Sequence, residues 1–216
     1  MTGRVVSLNV GALEPIGARG SMSGHRKVPV PRVDVRDPGL RAGGLGSGVV
    51  GDAIGNATFH GGDTQAVYAF AREELDWWQR ELGREIANGG FGENVTTAGL
   101  DVDAALVGER WRVGGALLEV CGPRKPCATF ALRMGIPGWI VRFGDRGRSG
   151  AYLAVVEPGA IATGDAVDVV HRPDHDVDMM RLFRALHDPA AARAVLAVGC
   201  LRPPERERVE RVAAKG

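Results

Sequence analysis

The stretch CGPRKPC, residues 121–127, lies between a predicted strand and a predicted helix. Residues 116–120 before it (ALLEV) have the alternating pattern of a strand. Its two prolines and its glycine end that strand and stiffen the turn. Residues 128–134 (ATFALRM) read as a short helix that stops at Gly135. The sequence therefore predicts a strand, a rigid turn and a helix in succession.

Cys127 is the last residue of this turn, and Arg124 and Lys125 stand just before it. Nearby cations and the start of a helix both favour a thiolate over a thiol. A thiolate is a nucleophile or a soft ligand for a transition metal. The alternative interpretation is a small buried apolar side chain, which is common for cysteine.

The chain around this turn indicates a β-rich core. Residues 3–10 and 151–156 alternate as strands do, and residues 25–35 are extended, with two prolines that confine them to an edge or a barrel rim. Residues 107–113 and 163–169 echo each other, each a glycine–acid turn leading into an alternating strand. Short strands with repeated turn entries favour a closed or sandwiched β core.

Helical patterns flank and follow this core. In residues 71–83, Leu75, Trp78 and Leu82 recur at helical spacing, and Gly83 can cap the end. After His171 the chain changes character, and three helices are expected at 177–187, 190–198 and 203–214. The last of these is highly charged and expected to face solvent. The fold class is mainly β with α, in which residues 1–170 form the β-barrel domain and 171–216 a C-terminal helical extension.

The composition argues against a nucleic-acid-binding, a membrane or a disulfide-rich secreted protein. The 216 residues carry a net charge of +1, so no global field indicates nucleic acid or a membrane as partner. Three cysteines are an odd number for a secreted disulfide framework, and no apolar run has the length of a membrane span. We therefore expect a cytoplasmic protein.

In the glycine-rich segment 36–51, the spacing of Gly46, Gly48 and Gly51 matches that of a dinucleotide-binding fingerprint. That fingerprint needs a buried strand before it and a helix after it. Here Asp37-Pro38-Gly39 precedes the glycines, and residues 56–62 (NATFHGG) follow. The segment is interpreted as a flap or a series of turns.

Candidate groups for chemistry are scattered along the chain, and each has a structural alternative. His60 precedes two glycines and either satisfies a turn or lines a site, and Lys27 is either a solvated charge or a phosphate contact. Residues 142–150 form a basic, glycine-rich loop that either is solvated or binds an anion. The sequence contains no HExxH or paired CxxC motif, which disfavours zinc. One thiolate among many anion-binding donors fits a metal carried on a phosphorylated organic cofactor. The donors are Lys27, His60, Asn94, Thr96, Thr97, Arg124, Lys125, Arg146, Arg148 and Ser149.

Several stretches together resemble the MOSC family, which is named for the C-terminal domain of molybdenum-cofactor sulfurases. The resemblance covers about residues 3–170 and is strongest to the small stand-alone bacterial branch that reduces N-hydroxylated compounds. The helices after residue 170 resemble the C-terminal extension of that branch. Residues 41–51 and 134–139 depart from the family pattern and are expected to shape the substrate entrance. The matching stretches are Lys27–Val30 (KVPV), 59–68 (FHGGDTQAVY), 91–97 (FGENVTT), 107–109 (VGE), 124–127 (RKPC) and 164–165 (GD).

The resemblance implies a MOSC-like β-barrel and a molybdenum–pterin cofactor. Cys127 would be the protein ligand to molybdenum, and His60 would join it in the catalytic site. The residues expected to hold the pterin and its phosphate are Lys27, Asn94, Thr96, Thr97, Arg124, Arg146, Arg148 and Ser149.

The resemblance also implies an enzyme that reduces N-hydroxylated small molecules, such as hydroxylaminopurines or amidoximes, to amines or amidines. The sequence has no flavin or iron–sulfur signature, so a separate electron-donating reductase is expected as partner, and a homodimer is a further expectation. Two alternatives stay open. The domain carries the cofactor or a persulfide sulfur without turnover, or it is an interaction module without a cofactor.

Overall fold

The computed structural model describes residues 2–17 and 20–215. In this part of the chain there are twelve strands, six α-helices and two short 3-10 helices. The strands are β1 (Thr2–Gly11), β2 (Glu14–Ile16), β3 (Ser21–Ser23), β4 (Lys27–Val30), β5 (Arg32–Val35), β6 (Val67–Ala71), β7 (Val95–Ala98), β8 (Arg110–Val113), β9 (Ala116–Pro123), β10 (Ala151–Glu157), β11 (Gly159–Ala162) and β12 (Ala166–His171). The helices are α1 (Arg72–Leu82), α2 (Ala128–Met134), α3 (Trp139–Arg146), α4 (Met179–Ala185), α5 (Pro189–Val198) and α6 (Pro203–Ala213), with 3-10 helices at Asp63–Gln65 and Val102–Ala104.

Seven strands close into a barrel in the order β1, β12, β8, β9, β10, β6, β7 and back to β1. All neighbours in the barrel are antiparallel except β6 and β7, which are parallel. The two segments that echo each other become the neighbours β8 and β12, where Val113 pairs with Val167. The proline-containing β4 lies on the edge beside β1, with Pro29 opposite Asn9. The predicted barrel and the edge position are confirmed.

The barrel interior is filled by apolar side chains that alternate inward along the strands. Leu8, Trp111, Leu118 and Leu153 are all buried, and the small cores of barrels of this size close by such packing. This interior gives a rigid frame to the strand ends, where the loops that follow carry the polar residues.

A second core lies outside the barrel and is built from aromatic rings. Trp78 of α1, Phe91, Phe130 of α2, and Trp139 and Phe143 of α3 are fully buried, with neighbouring centroids 4.8–6.2 Å apart. Such edge and tilted ring pairs add to the stability that area burial provides. Because Phe130 belongs to this cluster, the start of α2 is held in place, and Cys127 precedes that start directly.

The strand, turn and helix predicted around residues 116–135 are present, with one correction. Strand β9 continues to Pro123, three residues beyond the predicted end, because Gly122 pairs with Tyr152 and Pro123 pairs with Ala151. Proline is tolerated there because it occupies the last position of the strand. Helix α2 ends as predicted at Gly135, which takes the left-handed conformation with φ of 64°.

The predicted basic loop at 142–150 is wrong for most of its length. Residues 139–146 form α3, because Trp139 and Phe143, one turn apart, bury their rings in the aromatic cluster. Only residues 147–150 remain as a loop after Arg146. The arginines are therefore fixed on or beside a helix.

The three C-terminal helices pack on the barrel through α4, which contacts β9. Helix α6 does not face solvent on all sides as predicted, because Val209 and Glu205 are buried. None of the helices between residues 2 and 215, as far as the structure describes them, has the length and apolar character to cross a membrane.

Candidate functional site

The turn between β9 and α2 separates two clefts at one end of the barrel. Each cleft is defined here by the residues that line it. Cys127, His60, Gln65, Thr129 and Tyr152 line both. The inner cleft is also lined by Ser23, His25, Lys27, Ser47, Asp52, Tyr68, Asn94 and Arg124. The outer cleft is also lined by Phe59, Lys125, Pro126, Leu186, Arg208, Arg211, Val212 and Lys215.

Cys127 occupies the N-cap position of α2 in an extended conformation. Burial by itself raises the pKa of its thiol, but hydrogen bonding to His60, the charge of Arg124 and the Phe130 N–H outweigh burial and lower the pKa to about 6. Near neutral pH the sulfur is therefore mostly thiolate. The predicted influence of Arg124 agrees with this geometry.

Arg124 lies buried in the wall of the inner cleft. Its guanidinium stands over the rings of Tyr68 and Phe130, at 4.9 and 4.3 Å from their centroids, and donates to the Phe91 carbonyl. Burial opposes its charge, but the neighbouring Tyr68, Tyr152 and Cys127 raise the pKa of Arg124, so it stays protonated. A fixed cation without a salt-bridge partner in the described residues thus stands beside the thiolate.

His25, which the sequence did not single out, completes this group. Its Nε2 lies 2.8 Å from Arg124 Nη2, and its ring stacks on Phe130 with centroids 5.2 Å apart. Burial, then the charges of Arg124 and Lys27, lower the pKa of His25 to about 2, so the ring is neutral. A guanidinium can only donate, so Nε2 accepts and Nδ1 carries the proton.

The Nδ1 of His25 is buried and has no hydrogen-bond partner among the described residues. A buried N–H without a partner is costly, so it is an available donor for a bound group. The only hint in the sequence is its position two residues before Lys27, at the entrance of the extended segment.

Lys27 and Asn94, which the resemblance assigns to the cofactor, line the inner cleft, and both contact Asp52. Lys27 Nζ lies 2.5 Å from Asp52 Oδ1, and Asn94 Nδ2 donates to Oδ2 at 2.9 Å. The Ser47 hydroxyl and the Gly11 N–H also donate to this carboxylate, at 2.9 and 2.8 Å. Burial lowers the pKa of Lys27 and Asp52 opposes that shift. The charge of Lys27 is thus largely compensated inside the protein.

Thr96 and Thr97 are not brought to either cleft. Both are buried in β7, where the Thr96 hydroxyl accepts from Asn9 and donates to Glu93 at 3.1 and 3.0 Å. The Thr97 hydroxyl is buried without a partner among the described residues. The sequence interpretation grouped these two threonines with Cys127. The structure corrects it, because β7 directs both side chains into the protein interior.

Arg146, Arg148 and Ser149 also lie away from the two clefts that Cys127 lines. Arg146 pairs with Glu74 at 2.9 Å, and its guanidinium stands 4.0 Å from the Trp77 ring centroid. Arg148 pairs with Asp101 and Glu74 at 2.5 and 2.7 Å. Ser149 is buried, and its carbonyl accepts from the Tyr68 hydroxyl at 2.8 Å.

We refer to Glu74, Asp101, Asp103, Arg146 and Arg148 as the arginine–carboxylate network. In this network carboxylates from α1 and from the segment after β7 neutralise both arginines. The expected grouping of these arginines with Cys127 is corrected, and their predicted contact with a cofactor has no support in this geometry.

Comparison with known proteins places the chain in a family. The sequence model of the MOSC domain matches residues 56–168, which is more than half of the chain. The chain belongs to the MOSC domain family. The matched segment contains His60, Arg124 and Cys127, and it runs from the loop before β6 to β12.

The MOSC protein also has relatives among known proteins. It is 30% identical over 129 residues to the uncharacterised protein YflK of Bacillus subtilis and 29% identical over 128 residues to the protein YiiM of Escherichia coli. The matched regions span 60% and 58% of this chain but only 58% and 57% of those relatives. A protein of Gibberella moniliformis named "Reductase" is 30% identical over 131 residues, which are 59% of this chain and 23% of that protein.

Solved structures give the same fold. The crystal structure of YiiM from Geobacillus stearothermophilus superposes with a TM-score of 0.76 and 26% identity, covering 97% of this chain and 98% of that one. YiiM from Escherichia coli superposes with a TM-score of 0.70 over 94% of this chain and 92% of that one, at 21% identity, which shows the fold alone.

MOSC domains are associated with molybdenum cofactor binding, and the residues at the inner cleft fit such a group. The described residues contain no set of three or more His, Cys, Asp or Glu side chains that could hold a metal ion by themselves. Cys127 offers one soft sulfur, which suits a metal whose other ligands come from an organic cofactor. Arg124 and the His25 Nδ1–H offer donors to the anionic and accepting atoms of that cofactor.

Proposed function

We propose that this MOSC protein is an oxidoreductase that binds molybdenum cofactor through Cys127 and reduces N-hydroxylated compounds. The position of Cys127 carries the proposal. Its thiol stands in the wall shared by two clefts, the inner one lined by hydrogen-bond donors and the outer one lined by several cations. The likeness to a protein named "Reductase" supports the redox class.

The reaction breaks an N–O bond. A substrate R–NH–OH takes up two electrons and two protons and gives R–NH₂ and water. When bound, the cofactor supplies the two-electron redox chemistry, and its electrons come from a separate reductase as partner. Such substrates include hydroxylaminopurines and amidoximes.

The chain's own residues have three tasks in this proposal. Cys127 holds the metal, and Arg124 and the His25 Nδ1–H orient the cofactor from the inner cleft. His60 lines both clefts together with Cys127, so its ring can hold a proton beside the place where the N–O bond breaks. His60 is the general acid of the proposal.

The test measures molybdenum by elemental analysis and pterin by fluorescence after oxidation, on protein expressed in a host that makes the cofactor. Wild type is expected to hold both in stoichiometric amounts and to reduce hydroxylaminopurine with a chemical electron donor. Cys127→Ser should lose both the metal and the turnover, by about 100-fold or more, while it stays folded. Cys200→Ser is the matched control, because Cys200 lies before α6 and lines neither cleft.

Two results would contradict the proposal. Full cofactor and full activity in Cys127→Ser would remove the ligand role. Stoichiometric cofactor without turnover of any N-hydroxylated compound, together with transfer of the cofactor to another protein, would instead favour the carrier.

A further inference from the structure

The outer cleft carries a set of cations that the proposed reaction does not use. Arg208, Arg211 and Lys215 line one side of it from α6 and its end, and Lys125 lines the other side from the β9–α2 turn. Residues three or four apart on a helix share a face, so Arg208 and Arg211 lie side by side, and Lys215 lines the cleft from just after the helix. In the lining of this cleft, as the structure describes it, there is no Asp or Glu.

These cations are mostly uncompensated. In the part of the chain that the structure describes, no carboxylate oxygen lies within 4.0 Å of the charged nitrogens of Lys125, Arg211 or Lys215. Arg208 has one carboxylate neighbour, Glu205, at 3.7 Å. Arg206 on the same helix differs from these cations, because it lies on an exposed face and pairs with Glu210 at 2.8 Å. A local positive field therefore faces the cleft although the chain as a whole is near neutral.

Helix α6 presents these cations on a rigid support. Val209 and Glu205 are buried beneath it. The Gln65 amide, oriented with its oxygen toward α6, accepts from both terminal nitrogens of Arg208, at 3.1 and 3.2 Å. Gln65 itself lines both clefts, so the helix is tied to the wall that carries Cys127. Less conformational entropy is lost when a ligand binds to groups held in this way.

We propose that the outer cleft binds the phosphate of the substrate, so that the protein takes N-hydroxylated nucleoside monophosphates in preference to free bases. This inference rests on the proposed function. His60 and Cys127 stand in the same cleft as the cations, so one molecule can place its N-hydroxylated base beside the sulfur and its phosphate against α6. Arginine and lysine recognise phosphate oxygens by charge-assisted hydrogen bonds.

The cofactor also carries a phosphate, and the location of Arg208, Arg211 and Lys215 separates the two sources. The MOSC family match ends at residue 168, whereas α6 begins at Pro203. Cofactor binding is associated with the family as a whole, so residues outside the shared domain suit the substrate. The donors of the inner cleft, Arg124 and the His25 Nδ1–H, are already available to the cofactor.

The experiment compares AMP with adenosine as probes, by calorimetry on the cofactor-loaded protein at low ionic strength. Wild type should bind AMP at least tenfold more tightly than adenosine, and salt should weaken only the AMP complex. The double variant Arg211→Gln/Lys215→Gln should weaken AMP binding about tenfold or more without changing adenosine binding. Arg206→Gln, on the same helix with a paired charge, should change neither.

A second readout is the ratio of kcat/KM for hydroxylaminopurine ribotide to that for the free base. This ratio should fall about tenfold in the double variant, with the activity on the free base and the molybdenum content unchanged. Loss of molybdenum in the double variant would overturn the inference, because it would mean that these cations bind the phosphate of the cofactor and not that of the substrate. Equal binding of AMP and adenosine by wild type would overturn it as well.

The failure of this inference differs from the failure of the proposed function. AMP binding that depends on Arg211 and Lys215, in a protein that turns over no N-hydroxylated compound, would support the phosphate site and contradict only the reaction. Turnover of the free base and the ribotide with equal kcat/KM would support the reaction and contradict the phosphate site.

Discussion

The inner cleft and the arginine–carboxylate network both contain arginines, and they differ in what surrounds them. Arg124 in the inner cleft is held by two aromatic rings, a backbone carbonyl and His25, with no carboxylate partner within the described chain. Arg146 and Arg148 in the network meet three carboxylates. The comparison teaches that the number of arginines in a segment does not predict an anion site. Carboxylates brought in from other segments decide whether a cation is available.

The first test of this contrast is the variant Lys27→Ala, for which we expect the largest change in the free energy of unfolding. Its partner Asp52 has a side chain only 1% exposed. Because the variant leaves Asp52 buried without its cation, we expect the free energy of unfolding to fall by about 3–5 kcal/mol. Urea denaturation measures this loss.

The control for that experiment replaces both charges. Lys27→Met/Asp52→Asn should recover more than half of the lost stability, because neither position of the former pair then carries a buried charge. A loss of less than about 1 kcal/mol in Lys27→Ala would mean that the pair is not buried in solution as the structure has it.

Asp103 gives the second test, within the network. Burial raises its pKa to about 6, against the Gly150 N–H and Arg148, which lower it. A carboxyl whose pKa is higher in the folded state stabilises the fold at low pH and loses that contribution as the pH rises. We expect about 3 kcal/mol of stability to be lost between about pH 4 and pH 6.

The measurement is the free energy of unfolding of wild type and Asp103→Asn across that pH range. The difference in free energy of unfolding between the two proteins should change by about 3 kcal/mol over this range. The reason is that the amide that replaces the carboxyl group cannot titrate. Parallel pH profiles would show that Arg148 already compensates the charge of Asp103 fully.

The smallest effect on stability is expected for Arg146→Gln. This variant tests whether the arginine–carboxylate network, unlike the inner cleft, is without a role in cofactor binding. Its ion pair with Glu74 is partly exposed, so the free energy of unfolding should fall by only about 0–1 kcal/mol. Molybdenum content should stay at the wild-type level. The matched change Arg124→Gln should lower it, as elemental analysis of both purified variants would show. Equal loss of molybdenum in both would restore the sequence-based assignment of Arg146.

Much of the fold could be predicted from local patterns. The alternation in β9 and β10, the amphipathic α1 with Gly83 at its end, and the stop of α2 at Gly135 are properties of short segments. Helix α3 was missed, because its glycine and charged residues indicate a loop, while the burial of Trp139 and Phe143 stabilises it as a helix.

The candidate site was predicted only in part. The proline turn identified Cys127 and Arg124, and the glycines after His60 identified the loop that brings this histidine to the sulfur. His25 and Asp52 were missed, because no spacing or motif connects them to Cys127. They meet it only through β4, which pairs with β1, and the loop that follows β5.

The sequence by itself determined the strand, turn and helix that carry Cys127, and the family to which the chain belongs, because these depend on neighbouring residues and their order. Only the tertiary structure decided which cations are free. Charges interact through space at distances of a few ångströms, so the pairing of Lys27 with Asp52 and of Arg146 with Glu74 arises only when the barrel closes and the helices dock. The same folding step leaves Arg124 beside the sulfur, and Arg208, Arg211 and Lys215, on the last helix and just after it, facing the outer cleft.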